Sequence, residues 1–270
     1  MSISGFASTS CLCVFVLEYS VLRSFIRANR RICAAIERRL PQRRLDISLL
    51  YERTVGERMQ DLPSGSIIVD AGGGRLCPYA EYKPAGLRII AVDVTDEDLR
   101  RNIEADEWRV ADITTHLPFA DGEVAIVTSK HVLEHLPDTT RFVDEAHRVL
   151  GPGGRFIHLF PGRNSPFAIL SRLLPDGFKQ RLVHGLHPDT AGTQRFHTWY
   201  DRCYSSAFRK LLEEHGFVVE QEVVSYYQSH YFGFFVPFYL ASVLWEFILM
   251  AIRARDSAAT LLFIARRRAD

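Results

Sequence analysis

The 270-residue chain predicts an α/β fold built on a doubly wound, mostly parallel sheet. Three stretches carry that expectation. The apolar run Ile67-Ile68-Val69 ends in Asp70 and opens at once into Ala71-Gly72-Gly73-Gly74. A buried parallel strand reads this way when it feeds a tight turn where backbone must approach a ligand closely. A second run, Leu87 to Val92, ends in Asp93 about twenty residues later, the spacing at which an acid reaches ribose hydroxyls. A third, Trp108 to Ile113, carries Asp112. The first two alone specify a nucleotide-like ligand. A dinucleotide fingerprint, Gly-x-Gly-x-x-Gly, is met by Gly72 and Gly74 only, with Cys77 at the third place where close helix–strand packing favours glycine.

The remaining elements follow in order. Leu117-Pro118-Phe119-Ala120-Asp121-Gly122 turns into the apolar run Val124 to Val127, then Thr128-Ser129-Lys130-His131-Val132-Leu133-Glu134-His135-Leu136. Phe142 to Leu150 leads through Gly151-Pro152-Gly153-Gly154 into Arg155-Phe156-Ile157. Ser205 to His215 predicts an amphipathic helix with Phe208, Leu211 and Leu212 inward and Gly216 as its stop. Phe217 to Val224 and Ala259 to Arg266 read as two further strands.

From Ile67 to about Phe160 this series resembles the class I S-adenosylmethionine-dependent methyltransferases, in their small-molecule and lipid-acting, "methyltransferase type 11"-like branch. The resemblance rests on five elements in order: the glycine turn, the acids Asp93 and Asp112, the "VLEHL" turn at Val132–Leu136 and the "LGPGG" turn at Leu150–Gly154. It implies a Rossmann-like seven-stranded sheet with an antiparallel last strand, and S-adenosylmethionine as cofactor. It also implies roles. Asp70 would lie beneath the turn and organise it, while Ala71, Gly72 and Gly74 bring backbone to the ligand. Asp93 would take the ribose hydroxyls, Asp112 the adenine amine, and Val94 and Ile113 would sandwich the ring. Ser129, Lys130 and His131 would line the methionine and methyl side. His131 is the first candidate base, because that position faces the acceptor in such folds, and His197 is the second. His135 would tie loop backbone together, and His158 would be buried on strand five. One departure stands out. The family pattern Asp-x-Gly-x-Gly-x-Gly has Leu76 at its last glycine, which reshapes the methionine pocket.

With 47% hydrophobic residues the chain can bury a full core as one domain plus appendages. Its five cysteines show no paired spacing and read as reduced cytosolic thiols, and no metal site is expected. Net charge is +1, yet residues 1–44 hold eight arginines against Glu18 and Glu37, or +6, leaving −5 for the rest. A helix over about Tyr19 to Leu40 would align Leu22, Ile26, Cys33, Ile36 and Leu40, with the arginines to the side. Such a helix suits either an anionic membrane surface or docking on the catalytic core. The apolar run Leu12 to Leu17 lacks a preceding basic residue and ends at Glu18, so no signal peptide is expected. The arginines lack interleaved aromatics, so no nucleic-acid partner is expected.

The organisation expected is a basic helical extension over residues 1–45, a cofactor-binding core over 46–160, and an acceptor-side segment over 161–270 completing the same domain. Prolines and glycines break the stretch from Phe160 to about Tyr204, the mark of a functional loop, and Arg195-Phe196-His197-Thr198-Trp199-Tyr200-Asp201 is its densest chemical cluster. Phe232 to Ile252 is almost wholly apolar, with Glu246 as its one charge. A helix from Pro237 to Arg253 would span about 25 Å, short of a hydrocarbon core of about 30 Å. Tyr239, Ser242, Glu246 and Arg253 form a narrow polar stripe on it, which fits a helix lying in the membrane interface, roofing an apolar substrate, or forming a dimer. The function expected is methyl transfer to an apolar, lipid-like or carrier-linked acceptor, such as a sugar or quinone, at oxygen. The alternative is a membrane-associated, non-catalytic scaffold. A cytoplasmic location is expected, peripheral at the inner membrane face through residues 19–40 and 232–252.

Overall fold

The computed structural model describes residues 7–40, 46–173 and 197–269. The chain divides into two compact units. One holds residues 45–226 and 252–270, the other residues 1–44 and 227–251. Of the segment over 161–270, residues 161–226 and 252–270 share the unit of the core, and residues 227–251 group with residues 1–44. Its apolar stretch joins the N-terminal helix in a unit of its own, a pairing of stretches some two hundred residues apart that no local pattern announces.

The larger unit is a seven-stranded sheet in the order β3-β2-β1-β4-β5-β7-β6. The strands are β1 (Ile67–Ala71), β2 (Arg88–Asp93), β3 (Glu107–Val110), β4 (Val124–Lys130), β5 (Leu150–Pro161), β6 (Phe217–Ser225) and β7 (Thr260–Arg267). Strands β1 to β5 pair in parallel, and β7 runs antiparallel to both β5 and β6. Every residue of β1 is buried, as a central parallel strand covered on both faces requires. Strand β3 stops at Val110, short of the expected Ile113, because Asp112 turns the chain by accepting from Thr114 N at 2.8 Å.

Side chains alternate between two apolar layers. Ile67, Val69 and Ala71 join Phe142, Val143 and Ala146 of α4 (Thr139–Val149) and Phe208, Leu211 and Leu212 of α6 (Ser205–Glu214). Ile68, Ile89, Ile126 and Ile157 instead meet Tyr51, Val55 and Met59 of α2 (Ile47–Gln60). Each fully buried side chain of this kind contributes about 1.5–3 kcal/mol. Asp46 caps α2 through Leu49 N and Asp138 caps α4 through Thr140 N, both at 3.0 Å. Gly216, at φ +81°, ends α6 and admits the turn into β6. Among the described residues this unit also holds two short helices, α3 (Asp96–Leu99) and α5 (Pro166–Leu173).

The smaller unit pairs α1 (Ala7–Glu37) with α7 (Val236–Ala251). Helix α1 begins well before the expected Tyr19. Cys33, Tyr239 and Val243 are buried together, with Ile36, Leu40 and Val236 against them, whereas Leu22 of the expected inner face is exposed. Polar groups lock the pair. Asn29 Oδ1 accepts from Val236 N at 3.0 Å, capping α7, and the Tyr239 hydroxyl donates to Glu37. Glu246 is wholly buried and accepts from the backbone N–H groups of Gln228 (2.9 Å) and Ser229 (2.6 Å).

Candidate active site

Strand order reverses between β1 and β4, and a crevice opens there beyond the carboxyl ends of the strands, where open α/β sheets bind ligands. A cavity of about 210 Å³ lies at this point. Gly72 comes from the end of β1, Asp93 and Val94 from β2, Ala111 to Ile113 from beyond β3, and His131, Val132, His135 and Leu136 from beyond β4. Six of the expected site residues thus meet in one crevice: Gly72, Asp93, Val94, Asp112, Ile113 and His131.

The glycine turn is shaped by its neighbours. Gly72 and Gly73 donate to the carbonyl of Val92 at 2.7 and 3.2 Å, bending the chain back over β2. Gly72 sits at φ +71°, and a Cβ there would meet Val132 Cγ2 at 2.3 Å, so neither the conformation nor the space admits a side chain. The turn's carbonyls are held by Asn102, a residue the sequence reading missed. Its amide donates to the carbonyls of Gly73 and Gly74, both at 3.2 Å, while its oxygen accepts from Glu104 N and Ala105 N, both at 3.1 Å. Asp70 is buried behind the turn, and burial pushes its carboxyl up to about 7.

Asp93 Oδ1 accepts from Val94 N at 2.7 Å and Oδ2 from Gly74 N at 3.3 Å, which fixes its carboxylate at the crevice wall. Asp112 uses Oδ1 for Thr114, through the backbone N–H and the hydroxyl at 2.7 Å. Val94 is exposed into the crevice, and Ile113, which also lines it, is rooted in the core.

His131 follows β4 in the left-handed region at φ +59°, a strained conformation for a non-glycine residue, pinned by its N–H on the Leu159 carbonyl at 2.8 Å. Its ring is half exposed. The protein packed around it, with Lys130 and His135, holds its pKa down to about 4, so the ring is neutral at pH 7 and a weaker base than a free imidazole. Glu134 lies beneath it, and burial pushes that carboxyl up to about 8. The Glu134 carbonyl accepts from Trp199 N (2.8 Å) and Tyr200 N (3.0 Å), and His135 Nδ1 lies 3.0 Å from the His197 carbonyl. Residues 197–200 of the acceptor-side segment are thus tied to the turn after β4.

Other expected residues lie elsewhere. Ser129 does not face the crevice; its hydroxyl is wholly buried, 2.6 Å from Nδ1 of His158, which is itself buried on β5. Thr128 and Ser129 both sit inside β4, where Thr128 meets Tyr51 on one face and Ser129 meets His158 on the other, while the crevice is lined here by residues past the strand end. Ala71 is likewise in the core. Lys130 reaches Glu52 of α2 at 2.9 Å. His197 is exposed, its ring 4.5 Å from that of Trp199, and its side chain does not line the crevice. Arg195 and Phe196 of the same cluster fall outside the described residues.

Comparison with known proteins agrees with this geometry. Residues 69–158 match a family model described as a methyltransferase domain. Over 148 residues the chain is 26% identical to a dimethylglycine N-methyltransferase of Parasynechococcus marenigrum (strain WH8102), covering 51% of this chain and 50% of that protein. Over 129 residues it is 35% identical to an arsenite methyltransferase of Halobacterium salinarum, covering 45% and 31%. The chain thus spans half or less of the length of these curated relatives. Among solved structures, a [4+2]-cyclase aligns at a TM-score of 0.50 with 16% identity, over 81% of this chain and 80% of that one, which shows a shared fold. The matched residues 69–158, the sheet order and the crevice together are those of a class I S-adenosylmethionine-dependent methyltransferase domain.

Proposed function

We propose that the chain transfers the methyl group of S-adenosylmethionine to an oxygen of an apolar, lipid-like or carrier-linked acceptor, such as a sugar or quinone. The observation that carries the reading is the convergence of Gly72, Asp93, Asp112 and His131 on one crevice at the switch point of the sheet. The residues fit the cofactor. Gly72 leaves a cradle that a Cβ would fill, Asp93 and Asp112 both present carboxylates to the crevice, and Val94 with Ile113 offers two apolar walls. When bound, S-adenosylmethionine supplies an electrophilic methyl group. The protein's part is to align an acceptor behind that group and exclude water. His131, neutral and facing the crevice, takes the hydroxyl proton. His197 remains the second candidate base, although its side chain lies off the crevice and only its carbonyl meets His135. Val132 and Leu136 on the wall, and the exposed Trp199 ring beyond it, favour an apolar acceptor.

The test is calorimetric titration with S-adenosylmethionine and separately with NAD. It is followed by incubation with methyl-labelled cofactor and candidate acceptors: polyprenyl-linked sugars, quinols and lipid hydroxyls. Expected are binding of the first ligand only, and label in an organic-soluble product that His131→Ala loses. Folded protein that binds neither ligand would overturn methyl transfer in favour of the scaffold alternative.

A further inference from the structure

Helix α7 is built inside out for a helix in water. Tyr239, Ser242, Val243, Glu246 and Leu249, which share one stripe at helical spacing, are buried, carrying a hydroxyl pair and a carboxylate inward. Phe238, Leu240, Leu244, Trp245, Phe247, Ile248 and Met250 point outward, each 40–62% exposed. Burying a carboxylate is costly and exposing seven large apolar side chains on one helix forfeits their transfer energy, so this arrangement suits a medium less polar than water. The apolar surface continues onto α1 through a chain of rings: Phe238 to Phe235 at 5.0 Å, then Phe235 to Phe25 at 6.3 Å. Val21, Leu22 and Ile32 are exposed on the same helix.

Charge identifies the medium. Within residues 21–40 and 227–251 the acids are Glu37 and Glu246, and both are buried. The exposed formal charges there are all arginine: Arg23, Arg27, Arg30, Arg31, Arg38 and Arg39. A second copy docking on this face would set arginines against arginines, which opposes a homodimer. No described helix is long and apolar enough to cross a membrane, and α7, at about 24 Å, falls short of a hydrocarbon core of about 30 Å.

We propose that the unit formed by residues 1–44 and 227–251 is a docking surface for an anionic lipid bilayer. The outer face of α7 and the Phe25 side of α1 settle into the interface, and the α1 arginines meet lipid phosphates. This surface stands apart from the catalytic reading, and its test needs no acceptor.

The full chain is floated with phosphatidylcholine vesicles and with vesicles that also contain phosphatidylglycerol, at rising salt. Expected is flotation with the anionic vesicles that weakens as salt rises, and about fivefold weaker binding for each arginine removed in Arg27→Gln and Arg31→Gln. Leu244→Glu combined with Phe247→Glu abolishes flotation while calorimetric affinity for S-adenosylmethionine stays at the wild-type value, which shows the fold intact. Equal binding to both vesicles, or none to either by folded protein, would overturn the proposal. So would a dimer in light scattering that Leu244→Glu dissolves. Failure of cofactor binding with vesicle binding retained would count against the enzyme and leave this surface standing.

Discussion

Oε1 of Glu134 stands 3.7 Å from Nδ1 of His131, a buried acid facing a base whose backbone is held at φ +59°. In the folded chain Glu134 keeps its proton up to about pH 8, whereas an unfolded glutamate ionises near 4.5. The folded state therefore binds more protons between those limits, and stability falls as pH rises from about 4.5 to about 8. One such group sets a slope of at most about 1.4 kcal/mol per pH unit. Asp70 adds the same sign between 3.8 and about 7. In Glu134→Gln the fall of Tm across this window should be shallower than in the wild type; an unchanged slope would mean that Glu134 is already ionised in the folded chain.

Asp93 holds the turn through Gly74 N and Val94 N and also lines the crevice. Asp93→Ala should weaken S-adenosylmethionine by tenfold or more, since charge-assisted hydrogen bonds contribute about 1.5–3 kcal/mol. Asp93→Asn keeps one acceptor oxygen and should fall between the two. Calorimetry separates the three proteins, and equal affinities would remove Asp93 from the cofactor contact.

Asn102 links two stretches of backbone with one amide group. Asn102→Asp retains the acceptor for Glu104 N and Ala105 N and loses the donor to Gly73 and Gly74. It should lower cofactor affinity more than Tm. Asn102→Ala should lower both, by about 1–3 kcal/mol in stability. Thermal melts beside calorimetry read the two effects separately.

Ser129 offers the converse. Ser129→Ala strands the His158 ring in the core, so Tm should drop by an amount corresponding to about 1–3 kcal/mol, with cofactor affinity unchanged. A loss of affinity at constant Tm would return Ser129 to the crevice.

Gly72→Ala combines a left-handed backbone with a contact at 2.3 Å to Val132. Cofactor binding should vanish. Adding Val132→Ala removes the clash but not the strain, about 1–2 kcal/mol, so binding should return only in part.

The legible elements were those written in local chemistry. β1 and β2 announce themselves as apolar runs ending in Asp70 and Asp93, and α6 as Phe208, Leu211 and Leu212 before Gly216. The hidden ones depend on partners far along the chain. Asn102 grips backbone nearly thirty residues upstream, and Ser129 meets His158 because β4 and β5 happen to pair in that register. The polar stripe of α7 was visible as a pattern, yet its direction depends on Glu246 receiving the N–H groups of Gln228 and Ser229, which periodicity cannot tell. The same holds for α1, whose capping of α7 by Asn29 joins residues 207 apart.

Strands β6 and β7 pair up to Ser225 and Thr260, and Ala259 N returns to the Ser225 carbonyl at 2.8 Å. Residues 226–259 therefore leave and re-enter the sheet at a single hairpin mouth. Compared with a four-residue turn, that excursion is about three doublings of loop length, worth about 2 kcal/mol of closure entropy. The sheet is thus nearly indifferent to what hangs there. Replacing residues 227–251, which lie outside the larger unit, with a short linker should leave the strand register and the crevice in place, which makes this position a natural port for exchanging one accessory segment for another.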